Sequence, residues 1–166
     1  MVIIKKMMLN MFVITLLLIG GCSKISSKNK DEVEHFSTQV EALEHFIEFE
    51  NIKGNIDLVT TTNSEILLVT HASEDTYFVG ELKEDDEGFY AAKISASVRL
   101  GIGAAWELNT IESNEYTIFF DTNNEPNFIK FSNEEYFFSI VEGHTLSKNL
   151  LNAINTIKEV QTIKSN

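Results

Sequence analysis

The pattern of apolar and polar positions divides the chain beyond residue 31 into a helical part and a strand-rich part. Upstream of Gly54, apolar side chains recur every three or four residues, and acidic side chains occupy the positions between them. The apolar positions are Phe36, Val40, Leu43, Phe46 and Ile47. This period predicts one amphipathic helix of about 14 residues. Ser37 or Thr38 can cap its start, and Glu41 stands in capping-box register with Thr38.

Beyond Gly54 the apolar residues alternate with polar ones, and turn residues recur every eight to twelve positions. This pattern predicts strands at 56–61, 65–71, 76–83, 88–98, 104–112, 116–121, 127–132 and 136–142. The polar segments between them have the length of hairpin loops. Consecutive hairpins of this kind form an antiparallel meander.

Most of these strands offer one apolar face, as where Tyr90, Ala92 and Ile94 alternate with small or polar residues. A sheet with one apolar face needs a cover, and the helix is the available one. We therefore predict an α+β fold, with one N-terminal amphipathic helix packed on a curved antiparallel β-meander of about seven or eight strands. A short helix is expected at 147–155, whereas 157–163 fits either a helix or a closing strand.

Twelve phenylalanines and four tyrosines occur, and several of them are adjacent in sequence. The pairs Tyr77-Phe78, Phe119-Phe120 and Phe137-Phe138 put rings on both faces of their strands. The second face must be covered by the C-terminal segment, by a protein partner, or by nothing. An uncovered aromatic face would be a docking surface for such a partner.

The first 22 residues have the three-part layout of a secretory signal. Lys5 and Lys6 precede an apolar run of 13 residues, Met7 to Ile19, and Gly20-Gly21-Cys22 follows. The run is well short of the roughly 20 residues that a membrane-spanning helix needs. The segment therefore predicts export rather than a permanent membrane span.

The residues Ile19-Gly20-Gly21-Cys22 resemble the lipobox of bacterial lipoprotein signals. The resemblance implies cleavage between Gly21 and Cys22 and attachment of a diacylglyceryl group, carrying acyl chains such as palmitate, to the sulfur of Cys22. Two acyl chains anchor a protein stably where one chain holds it only marginally. We therefore expect a signal peptide at 1–21, a lipidated extracytoplasmic protein at the cell membrane, and a single domain at 32–166. The alternative is an ordinary signal peptide followed by a chance cysteine.

Residues 22–31 contain the lipidated cysteine and a linker. Within it, the run 23–30 holds three lysines and three serines. This composition predicts a flexible tether, whose lysines either attract anionic lipid or are simply solvated. The formal net charge is -12 for the whole chain. Removal of the signal peptide with its two lysines makes it more negative, and so acidic a surface argues against nucleic acid as a partner.

The mature part also resembles small lipoproteins of Bacillus-type Gram-positive bacteria to which no activity is attached. The resemblance rests on 76–82 (TYFVGEL), 103–108 (GAAWEL) and 139–144 (SIVEGH). It supports the predicted localisation and implies nothing about a mechanism.

Arg99 and Trp106 are the candidate ligand-binding residues. They are the only arginine and the only tryptophan, and they flank a segment of small residues. A guanidinium can hold a carboxylate ligand, and an indole can form the floor of its pocket. The alternative is a core tryptophan and an arginine in a surface ion pair.

Three further groups have spacings typical of metal ligands, and each fails a requirement. They are Glu41 with His45 and Glu48, Asp121 with Asn123 and Glu125, and the acidic run 84–87. The first offers too few His or Cys ligands for structural zinc. The second has proline where a calcium loop needs glycine, and the third is typical of a solvated loop tip. We therefore expect no metal, no cofactor and no catalytic residue.

These observations predict a membrane-anchored, extracytoplasmic, non-catalytic binding module whose ligand the sequence does not identify. The alternative is an enzyme or a metal-dependent module whose site is assembled from distant residues such as His71, His144 and the acidic loops. A third interpretation is a purely structural spacer.

Overall fold

The computed structural model describes residues 33–146 and 154–164. Within these residues the chain forms one helix, α1 (Gln39–Phe49), and ten strands. The strands are β1 (Asn55–Thr61), β2 (Ile66–Ser73), β3 (Thr76–Asp85), β4 (Gly88–Lys93), β5 (Val98–Arg99), β6 (Gly103–Asn109), β7 (Glu115–Asp121), β8 (Ile129–Lys130), β9 (Phe137–Glu142) and β10 (Ile157–Lys164).

The strands form two antiparallel sheets. The first sheet has the order β10-β1-β2-β3-β4, with β5 also paired to β3, and the second has the order β6-β7-β9-β8. The described residues are 52% strand and 9% helix. The predicted α+β class, with a helix on one meander of seven or eight strands, is therefore wrong, because the protein is mostly β with sheets of six and four strands.

The second sheet is needed because the strands of the first sheet are apolar on both faces. On β3, Tyr77 and Val79 pack in a core that also contains Ile118, Phe120 and Ile140 of the second sheet. The alternate residues of β3 pack in a separate core with the helix. One helix cannot cover two faces, so a second sheet covers the other face.

The helix begins at one of the two predicted caps and has 11 residues, fewer than the roughly 14 predicted. Thr38 is the N-cap, and its hydroxyl accepts a hydrogen bond from the backbone N–H of Glu41, whose carboxylate accepts one from the N–H of Thr38. Phe46 lies edge-on to Phe78 of β3, with their centroids 6.0 Å apart. A Cβ at Gly80 would lie 2.6 Å from the Phe46 ring, so only glycine permits this close approach.

Replacing Thr38 with alanine should remove one capping hydrogen bond. We expect Thr38→Ala to lower the free energy of unfolding by about 1 kcal/mol. Ser37→Ala is the matched control, because Ser37 only donates to Glu41 and lies outside the box. Denaturant titration of both variants checks the prediction, and equal stabilities would contradict the role of the cap.

All eight predicted strands are present, with shifted ends. The predicted strand at 88–98 is divided into β4 and β5, because the ladder between β3 and β4 stops at Lys93. The segment that fitted either a helix or a strand is β10, which pairs antiparallel with β1. Of the helix predicted at 147–155, residues 147–153 lie outside the described residues, and Asn155 forms an isolated β-bridge with Val141.

Candidate functional site

The two candidate ligand-binding residues lie in different environments. Arg99 is exposed on β5, where it pairs with Thr76 of β3. Trp106 packs against the core between the sheets, stacked on Phe120 with ring centroids 5.6 Å apart. The indole is partly buried and packs against this core. Cys22 lies outside the described residues.

The paired aromatic rings are mostly interior. Tyr77 and Phe78 are 0% and 2% exposed, the first in the core between the sheets and the second beneath the helix. Phe119, Phe120 and Phe138 are buried as well. The second sheet covers Tyr77 and the helix covers Phe78, so these two rings do not form an open face.

The four histidines lie in separate surroundings. His35 contacts Asp85 at 3.0 Å, and His45 contacts Glu34 at 3.4 Å. His144 lies 3.9 Å from Glu107, and His71 stacks on Tyr77. Within 33–146 and 154–164, no group of three His, Cys, Asp or Glu side chains could hold a metal ion.

The other polar patterns have local roles. The Glu41 carboxylate takes part in the capping box, and His45 contacts Glu34 instead of Glu41. Asp121 accepts hydrogen bonds from the backbone and the side-chain amide of Asn123, which makes the second pattern a turn. Asp85, in the acidic run, accepts a bond from the N–H of Glu87. This bond, followed by the contact with His35, lowers the pKa of the Asp85 carboxyl.

The structure also brings together a group of polar side chains that we did not single out from the sequence. We call Glu65, Glu81 and Tyr116 the buried acidic cluster. Glu65 precedes β2, Glu81 lies on β3, and Tyr116 lies on β7, so the cluster joins both sheets. The two carboxylates are 6% and 0% exposed. Burial of a charged group is costly unless it is paired, so both require an explanation.

Glu65 is fully hydrogen-bonded. One carboxylate oxygen accepts from the Tyr116 hydroxyl at 2.5 Å, and the other accepts from the Asn114 side-chain amide at 2.8 Å. Asn63 donates to the same tyrosine oxygen. Burial, and then the bond to Glu65, raise the pKa of the Tyr116 hydroxyl.

Glu81 is bonded on one oxygen only. Oε2 accepts from the backbone N–H of Ile111 at 2.6 Å, while Oε1 is buried and has no hydrogen-bond partner in the described part of the chain. The nearest cation is Lys83, whose Nζ lies 4.0 Å from Oε1 and also donates to Glu112. Burial raises the pKa of the Glu81 carboxyl, and the bond from Ile111 and the Lys83 charge only partly oppose this.

Side-chain hydrogen bonds connect the loop between β6 and β7 to the first sheet. Ile111, Glu112 and Asn114 of this loop bond to Glu81, Lys83 and Glu65, respectively. Glu81 could have been found in the sequence, because it shares the period of two with Tyr77 and Val79 and so falls on an apolar face. Its hydrogen-bond partner Ile111 is 30 residues away, and no sequence pattern indicated that the two residues are in contact.

Comparisons with known proteins add no family assignment. No family model, no curated protein and no solved structure matches the chain. Among the described residues, no helix has the length and apolar character needed to cross a membrane.

Proposed function

We propose that this chain is a lipid-anchored extracytoplasmic protein, and that its two-sheet domain is a non-catalytic binding module. The observation that carries the proposal is the short apolar run ending in Ile19-Gly20-Gly21-Cys22. This run supplies an export signal and a thiol that can be acylated.

The length of the linker supports a position close to the membrane. Ten residues, 23–32, separate Cys22 from the first described residue, Val33. A chain of ten residues reaches at most about 33–36 Å when fully extended. An anchor on Cys22 would therefore hold the domain within about one domain diameter of the lipid surface.

The roles of the ionisable groups support binding over catalysis. The buried carboxylates hold a loop of the protein itself, and three of the four histidines contact nearby carboxylates. Of the two histidines that the enzyme hypothesis would use, His144 lies near Glu107 and His71 stacks on Tyr77, so the two have different neighbours. The domain would then act through its surface.

The proposal is tested by replacing the thiol. In cells fed a palmitate analogue, we expect the wild type to incorporate label and to sediment with membranes. Cys22→Ser should incorporate none, and should be released or retained as the uncleaved precursor. Ser27→Ala is the control, because it changes the linker and keeps the cysteine. Mass spectrometry that found mature wild-type protein with a free Cys22 thiol would refute the proposal.

A further inference from the structure

The outer strands of the two sheets differ in how their free edges are protected. On β4, the backbone of Phe36 pairs with Phe89 and covers the edge. β10 carries Lys158 and Lys164, and a bulge interrupts its pairing with β1. β8 has only two residues. Charges, bulges and short length are the usual means by which proteins protect sheet edges.

The β6 edge has little of this protection. β6 is seven residues long, contains no lysine or proline, and pairs only with β7 in the described part of the chain. Its ladder with β7 has no register shift. A regular edge of this length without lysine, proline or a bulge is a template for another strand.

The hydrogen-bond register shows which backbone groups of β6 face outward. Thr110 N–H donates to Asn114 in the same register that pairs β6 with β7. Because bonded and non-bonded pairs alternate in an antiparallel ladder, the odd-numbered residues direct their N–H and C=O groups away from β7. These residues are Ala105, Glu107 and Asn109, and all three are exposed.

The chain around this edge is mainly acidic. From Leu100 to Ile129 the chain has no lysine, arginine or histidine. The same 30 residues contain five acids: Glu107, Glu112, Glu115, Asp121 and Glu125. Lys83 pairs with one of them and His144 approaches another, and the remaining three have no cationic partner in the described chain. The N–H of Leu146 also donates to Glu107.

We propose that the β6 edge binds an extended, lysine- or arginine-containing peptide segment of a partner protein by strand addition. The outward backbone groups of β6 would pair with the segment, and the acids of β6 and β7 would attract its basic side chains. In an added strand, side chains on one face recur about every 6.8 Å. Basic residues at alternate positions of the added strand would therefore all lie on the face that carries the acids of β6 and β7. The inference rests on the proposed binding role, because it names the class of partner that the module binds. It does not depend on the lipid anchor at Cys22.

The test uses the full chain with Cys22→Ser, purified in detergent, so that failure of lipidation cannot affect the result. The probe is a synthetic octapeptide of alternating lysine and threonine, and its counterpart has glutamate in place of lysine. We expect the lysine peptide alone to bind, and to slow backbone hydrogen exchange at Glu107 and Asn109.

Two variants at one position separate strand addition from simple charge attraction. Ala105→Pro removes an outward N–H at an edge, where proline is tolerated, and should weaken binding by at least about tenfold. Ala105→Ser keeps the N–H and should bind like the parent. Equal binding by the proline variant would overturn the proposal, as would equal binding of the glutamate peptide. A dimer that Ala105→Pro dissociates would also overturn it, because a second copy would then occupy the edge.

Discussion

Phe120→Ala should lower the free energy of unfolding by about 3–5 kcal/mol. Phe120 is 3% exposed and lies in the core between the sheets. Five aromatic rings have their centroids within 6.5 Å of its own. They are Tyr77, Trp106, Phe131, Tyr136 and Phe138. Removing the central ring loses contacts on every side, and well-packed neighbours can close such a cavity only in part.

Equilibrium denaturation with guanidinium measures this loss, and Trp106 provides the signal because its ring stacks on Phe120. Phe49→Ala is the control, since Phe49 is 75% exposed and its loss should change stability by no more than about 0.5 kcal/mol. If Phe120→Ala were as stable as this control, the two sheets would not share the core described above.

The sequence predicted the local elements well because their signals are local. The cap at Thr38 and the period of three to four residues defined the helix, and alternation with short polar loops defined the strands. How the strands are divided between sheets is not a local property. The adjacent rings Tyr77 and Phe78 did indicate that β3 is apolar on both faces, but they could not show that a second sheet covers one of them.

The C-terminal strand was ambiguous for a related reason. Val160 packs toward the core between the sheets, whereas Ile163 packs toward the helix side. The apolar residues of β10 are spaced three positions apart in the sequence, which is also the spacing of apolar residues on one face of a helix. Pairing with β1, about one hundred residues earlier, decides the conformation. The sequence alone does not show which distant strand β10 pairs with.

The buried acidic cluster was partly predictable. An acid in a position of apolar period marks Glu81 as unusual, whereas the loop that bonds to it comes from the other sheet. Whether such an acid is buried or exposed depends on that loop. The carboxylate of Glu81 is thus bonded by a loop of the other sheet, and the sequence of β3 alone does not show this contact.

Relative to acid pH, Glu81→Gln should stabilise the protein at neutral pH by about 1–3 kcal/mol. Glu81 is fully buried, and glutamine has nearly the same shape and can still accept the bond from the Ile111 N–H. It removes a charge whose Oε1 has no hydrogen-bond partner among the described residues and whose neighbour Lys83 already pairs with Glu112. Burying an ionised carboxylate that is incompletely paired is costly, and a neutral group of the same shape avoids that cost.

The pH dependence of this gain has a definite sign. Burial raises the pKa of the Glu81 carboxyl above its ordinary value of 4.5, so the folded state holds this proton more tightly than the unfolded state does. The contribution of Glu81 to stability is therefore fully present below pH 4.5 and is lost as the pH rises through the raised pKa. The advantage of Glu81→Gln should be greatest at neutral pH and should disappear in acid.

Urea denaturation of the wild type and of Glu81→Gln from pH 4 to pH 8 measures this difference. Glu41 and Asp85, whose pKa values are lowered in the fold, are common to both proteins, so the difference between the two curves isolates Glu81. Glu115→Gln, which changes an exposed acid on β7, is the control for net charge. A difference that stayed constant across the range, or that grew in acid, would show that Glu81 is ionised at no cost. In that case the Ile111 N–H and Lys83 would compensate fully for its burial.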